Sequence, residues 1–285
     1  MARNRKDAKL IRNLTSTQRV IYYLKKKRCD SDVYINMKVE MTNAIKYIEK
    51  QKKAGNHVTY FHLFCAALAR TFYNRPLLNR FVMPGGKVYE HNDVSVGFVA
   101  KVKFEDYAEE FLRVEHFAKE NNIFDISKQL TDSVEHLRKN NKSDTDNTAD
   151  VLAKLPGWLF NIAMGILKFM DNHDLIPEKL TRNSIYHSSA IVSNLGTFKS
   201  SAIYHNLTDF GTSSSLITMG AIHKEPVAND DGKVEIKDVC DFGINLDERI
   251  GDGYYFVKSM KVFEYLLNHP ELLEEPVGNE LTIDE

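Results

Sequence analysis

The hydrophobic period of this chain changes abruptly near residue 247, and the change demands a strand, a tight turn and a helix in that order. Val239 to Leu246 reads as a strand. Phe256, Met260, Phe263 and Leu267 then recur at spacings of four, three and four, which is the repeat of one helix face. Between them lies Asp247 to Gly253 (DERIGDG), in which Asp252 stands where a helix cap belongs.

The rest of the chain supplies partners for that strand. Asp32 to Met41 alternates, with Val33, Ile35, Met37 and Val39 on one face, so it is expected to be a half-buried strand. Thr42 is placed to cap a helix over Asn43 to Lys53 with Ile45 and Ile48 inward. Thr59 caps a second over Tyr60 to Asn74, which Pro76 ends. After the turn Pro84-Gly85-Gly86, Val94 to Phe104 reads as a buried strand and Tyr107 to Asn121 as a charged helix. A short helix over Thr17 to Lys27, and strands over Ser189 to Ser193 and Ser215 to Ile222, complete an alternation that implies an α/β layer architecture. The organisation expected is a polar segment over residues 1–30, one domain over 31–275 and a tail over 276–285. Asn140 to Asp150 is a polar loop within the domain, because the strands of the second half need partners from the first.

Charge narrows the function classes. With 38 Lys and Arg against 39 Asp and Glu, the balance gives no footprint for nucleic acid or an acidic membrane. The basic runs Arg3 to Lys9 and Lys25 to Arg28 read as solvated segments. Three cysteines, Cys29, Cys65 and Cys240, show no Cys-x-x-Cys spacing, and His-x-x-x-His is absent, so neither a metal site nor redox chemistry is expected. No apolar run suits a signal peptide or a membrane span, and a reducing cytoplasm fits the cysteine usage. Trp158 to Met170 (WLFNIAMGILKFM) is the most apolar stretch. It lacks the basic polar face of an interfacial helix, and is expected in the core or at a subunit contact.

Three segments in register carry a resemblance. DFGINLDERIGDG with its following helix and Pro270, Leu272 and Leu273 forms one; Ser193-Asn194-Leu195-Gly196 within Ala190 to Ile222 forms the second; His91 to Ala100 forms the third. Together they resemble the catalytic domain of the 2-oxo acid dehydrogenase acyltransferases and chloramphenicol acetyltransferase, over roughly residues 30 to 275. That resemblance implies a chloramphenicol-acetyltransferase-like α/β (α+β) two-layer sandwich, a mixed sheet packed against helices. It further implies a homotrimer with sites between subunits, and acyl transfer between coenzyme A and a small acceptor. No lipoyl domain is recognisable ahead of the catalytic part, so a free-standing member is expected.

In the resembled families a histidine takes the proton from the attacking thiol or hydroxyl, and a hydroxyl near the Ser-Asn-Leu-Gly strand stabilises the oxyanion. Carried across, Ser193 is the candidate oxyanion donor. Asp252 is the turn aspartate, expected to pair with an arginine. The histidine position holds Glu248. A carboxylate there acts as base only if burial raises its proton affinity, and the opposing reading is an ion pair with Arg249 or a lysine and a member that binds acyl-CoA, or assembles, without turnover. His187 and His205 flank the Ser-Asn-Leu-Gly strand; either could replace the missing base, or be a hydrogen-bonded structural residue.

Overall fold

A computed structural model describes residues 3–101, 110–140, 156–229 and 231–283. The centre is a mixed seven-stranded sheet. Along it run β2 (Asp32–Glu40), β10 (Val234–Asp247), β8 (Ser215–Met219), β7 (Ala190–Asn194), β5 (Val94–Lys101) and β6 (Glu110–Phe117), with β9 (His223–Ala228) paired to the first half of β10. The β5/β7 and β7/β8 pairs are parallel and the others antiparallel. A small second sheet joins β1 (Ala8–Leu10), β4 (Lys87–His91) and β3 (Arg80–Met83) over Phe81 and Tyr89.

Helices cover one face of the large sheet: α2 (Thr42–Lys53), α3 (Tyr60–Asn74), α4 (Ile123–Asn140) and α7 (Gly253–Asn268). Every residue of α3 from His62 to Phe72 is buried, which makes it the central helix of that layer. Phe64 stacks on Phe242 of β10 at 5.8 Å and meets Phe263 of α7 edge-on at 5.7 Å. Burial of each such ring stabilises the fold by about 1.5–3 kcal/mol. Thr59 caps α3 as its sequence requires, its hydroxyl accepting from His62 N at 3.2 Å.

The other face carries the site. Strand alternation turns Val192, Ile217 and Ile244 toward the helices and Ile191, Ser193, Leu216, Thr218 and Asn245 away from them. The segment 199–211 crosses this second face. Its backbone is tied to the sheet: Thr218 Oγ1 accepts from Ile203 N and donates to Ile203 O, Asn245 Oδ1 accepts from His205 N at 3.3 Å, and Asp32 accepts from Leu207 N at 3.2 Å.

Four expectations change. Residues 110–117 form the edge strand β6 and not part of a helix, because pairing with the whole length of β5 outweighs the local charge pattern. Thr42 lies inside α2, its hydroxyl donating to Glu40, and Met41 precedes the helix without a side-chain cap. The apolar stretch forms α5 (Gly157–Asn172), which precedes the short α6 (Glu178–Arg182), but only Asp171 of it is buried; Trp158, Ile162, Ile166 and Phe169 are each more than half exposed, so within one chain α5 is not core. The first thirty residues also pack: α1 (Ser16–Leu24) is capped by Thr15, and Arg5 and Ala8 are buried. Of the expected loop at 140–150, residues 141–150 lie outside the described residues, as do 102–104 of the expected Val94 to Phe104 strand.

Candidate active site

Ser193 ends β7 beside a cavity of about 760 Å³. Several elements contribute to its lining. The N-terminal turn of α3 gives Tyr60 and Phe61, and the ends of β5 and β7 give Phe98, Val99, Ser193 and Asn194. The crossing segment gives His205, Asn206 and Thr208. His205 is the one histidine among these lining residues, and its ring is exposed to the cavity while its backbone is fixed by Asn245. A hydroxyl and an imidazole that open into one cavity can polarise a carbonyl and accept a proton. The geometry thus brings together two of the five candidate residues, Ser193 and His205.

Glu248 does not line this cavity. It follows β10, its backbone N donating to Ser31 O at 2.9 Å, and its side chain, about one third exposed, is ion-paired with Lys25. Of the partners expected for it, the lysine is correct. Arg249 instead closes on Asp247, Nε to Oδ1 at 2.8 Å and Nη2 to Oδ2 at 2.7 Å, with the carboxylate fully buried. Arg28 Nε stands 3.7 Å from the same carboxylate and donates from its other nitrogens to Thr208 O and Gly211 O, so the turn after β10 is bound to the crossing segment.

Asp252 is exposed and caps α7, accepting from Tyr255 N at 2.8 Å. The arginine pairing expected of Asp252 falls on Asp247, because only Asp247 sits at the buried end of the strand. Arg28 and Asp247 were missed by sequence reasoning. Asp247-x-Arg249 is a local signal for a paired turn, whereas Arg28 is distant in the chain and leaves no pattern.

His187 also departs from expectation. It is buried away from the cavity, its ring nitrogens 3.3 Å from Asp171 Oδ1 and 3.1 Å from Ser184 Oγ. Asp171 in turn accepts from Arg5 Nη2 at 3.0 Å. Burial alone would raise the Asp171 carboxyl, but the bond from His187 and the charges of His187 and Arg5 outweigh it and hold it below the usual range. His187 therefore ties α5 to the start of β7 in a structural role. Among the described residues no group of three or more His, Cys, Asp or Glu could hold a metal ion, and no helix is long and apolar enough to cross a membrane.

Comparison with known proteins bears on the fold. Residues 174–274, which include β7, β8, β9, β10 and α7, match the 2-oxoacid dehydrogenases acyltransferase (catalytic domain) family. The lipoamide acyltransferase component of the branched-chain alpha-keto acid dehydrogenase complex of Bacillus subtilis is 22% identical over 222 residues, covering 76% of this chain and 42% of that protein. The chain thus spans less than half the length of that relative. A solved dihydrolipoamide acetyltransferase of Azotobacter vinelandii, studied for the role of a serine, a histidine and an asparagine in its catalytic mechanism, superposes with a TM-score of 0.62 at 14% identity, over 92% of this chain and 93% of that one. Chloramphenicol acetyltransferase superposes with a TM-score of 0.53 at 13% identity, over 91% and 99%. The chain has the chloramphenicol-acetyltransferase-like fold of these acyltransferase catalytic cores, and over residues 174–274 it carries the sequence pattern of the 2-oxoacid dehydrogenase acyltransferase catalytic domain.

Proposed function

We propose that the protein transfers an acyl group between coenzyme A and a small acceptor, with Ser193 stabilising the oxyanion and His205 accepting the proton of the attacking thiol or hydroxyl. The observation that carries this reading is the shared cavity: Ser193 and His205 both open into it, in an acyltransferase fold. As the thiol or hydroxyl attacks, its proton passes to the imidazole and negative charge develops on the carbonyl oxygen, where a placed hydroxyl is worth about 10²–10³ in rate. The tetrahedral species then collapses, and the imidazolium returns the proton to the leaving group.

The working unit is a homotrimer, as the resembled families imply. Val20, Tyr23 and Leu24 of α1 and Tyr254 and Val257 of α7 are exposed apolar residues on the two elements flanking Glu248. Such a surface, distinct from the cavity, suits a head-to-tail contact that closes into a ring. In that ring the Lys25 and Glu248 pair of one subunit would face the cavity of the next.

A second reading, binding of acyl-CoA without turnover, is favoured by the engagement of Glu248 with Lys25 at the position where the family carries its base. One experiment separates the two. Thiol release from acetyl-CoA with a panel of acceptors is measured beside calorimetric binding of coenzyme A, for the wild type, His205→Asn and Glu248→Gln. Turnover lost in His205→Asn and kept in Glu248→Gln supports the proposal. Turnover lost only in Glu248→Gln moves the base to Glu248, and binding without any turnover establishes the second reading.

A further inference from the structure

The cavity beside Ser193 is lined by residues from both faces of the sheet. On the outer side it meets Ile191, Leu216 and the polar groups of the crossing segment. On the helix side it is walled by Phe61, Phe98 and Val134, an apolar arm in which Phe61 and Phe98 meet edge-on at 5.6 Å. Val99, which strand alternation turns to the outer face with Ser193, is 39% exposed, so open apolar surface also lies beside the hydroxyl.

We propose that this arm receives the hydrocarbon chain of a medium- or long-chain acyl thioester whose carbonyl lies at Ser193. The inference rests on the acyltransferase reading and names its substrate class. Size is the first argument. At roughly 30 Å³ per heavy group, an acetyl group would fill about a tenth of the 760 Å³ available, and an unfilled apolar cavity forfeits contact energy. Charge is the second argument. Among the described residues that line the cavity there is no Asp, Glu, Lys or Arg, so a dicarboxylic acyl group such as succinyl would bring a carboxylate with no charged partner among them, at a desolvation cost. The polar groups are at the other end, where His205, Asn206, Thr208 and Ser213 can bond the amides and thioester of the carrier.

Calorimetric titration of the whole protein with acetyl-, butyryl-, hexanoyl-, octanoyl- and dodecanoyl-CoA, with succinyl-CoA and with coenzyme A alone, tests this. Each buried methylene contributes about 0.8 kcal/mol, so Kd is expected to fall about fourfold per methylene until the arm is full and then level off. Succinyl-CoA should bind no more tightly than coenzyme A. Val134→Phe, which fills the arm from α4, should remove the gain beyond butyryl. Equal Kd values across the series, with coenzyme A still bound, overturn the chain proposal and leave the acyltransferase reading standing. Absence of binding by coenzyme A and every thioester overturns both. Affinity that climbs with length without levelling, and that Val134→Phe does not change, assigns the chain to exposed surface such as α5 and also overturns the proposal.

Discussion

Asp247 and Arg249, two residues apart in the chain, form a closed bidentate pair inside the protein, and the Arg249 backbone N adds a third bond to the same carboxylate at 3.0 Å. With Arg28 at 3.7 Å, one buried carboxylate faces two guanidinium groups. Removing it strands both charges. Asp247→Ala should therefore cost about 3 kcal/mol or more, whereas Asp252→Ala, which loses one exposed cap, should cost about 1 kcal/mol. Chemical denaturation of the two variants side by side checks the ranking, and equal losses would contradict it.

Ser193→Ala removes the hydroxyl at the end of β7 without disturbing the core face of the strand. Acyl transfer should fall about 10²–10³-fold in kcat while the Kd for coenzyme A changes little. Steady-state kinetics with parallel calorimetry checks it; a rise in KM alone would make Ser193 a binding group.

Glu248→His restores the residue type of the resembled families at the turn and breaks the ion pair with Lys25. If the neighbouring subunit's cavity receives this turn, acyl transfer should rise, with a ceiling of about 10²–10⁴-fold for a placed general base. No gain in a variant that still binds coenzyme A would show that the turn does not reach the reacting atoms.

Acid should destabilise the fold well above the carboxylate range. Burial pushes both His62 and His91 down to about 4, and His62 also feels the neighbouring His57. An unfolded histidine takes up its proton near pH 6.5, so below that value the unfolded state binds more protons than the folded one. Stability is then complete above about pH 6.5 and declines as pH falls toward 4. Melting temperatures at pH 7 and pH 5 and constant ionic strength should show the loss; a value that holds or rises contradicts it.

Assembly is open to direct test. Sedimentation at micromolar concentration should give a trimer, and Tyr254→Lys combined with Val257→Lys should shift it toward monomer, since both side chains are more than half exposed and lie next to the Glu248 turn. A wild-type monomer would remove the homotrimer from the proposal.

Local signals in the sequence were sufficient for much of this fold. Thr59, Pro76 and the spacing of Phe256, Met260, Phe263 and Leu267 mark helices that form as written, because caps and apolar stripes act within a few residues. Phe111, Val114 and Phe117 of β6 have helical spacing and are nevertheless a strand, since β5 decides their conformation from elsewhere in the chain. The site divides the same way. Ser193 and Asp252 were legible from the patterns around them. The place of His205 on the cavity lining, the engagement of Glu248 by Lys25 and the isolation of His187 beside Asp171 depend on contacts between distant segments, which no spacing encodes.

The crossing segment lies so close to the sheet that the chain beneath it must be bare at two points, in β10 and just after β8. A Cβ on Gly243 would collide with Ile203 O, and one on Gly220 would come within 2.7 Å of Ala202 N. Neither glycine lines the cavity, yet both sit under the stretch of chain that presents His205. A library of random variants selected for activity should therefore show these two positions as intolerant as those proposed to act on the substrate, and a survey that reads intolerance as contact with substrate would place them wrongly in the binding site.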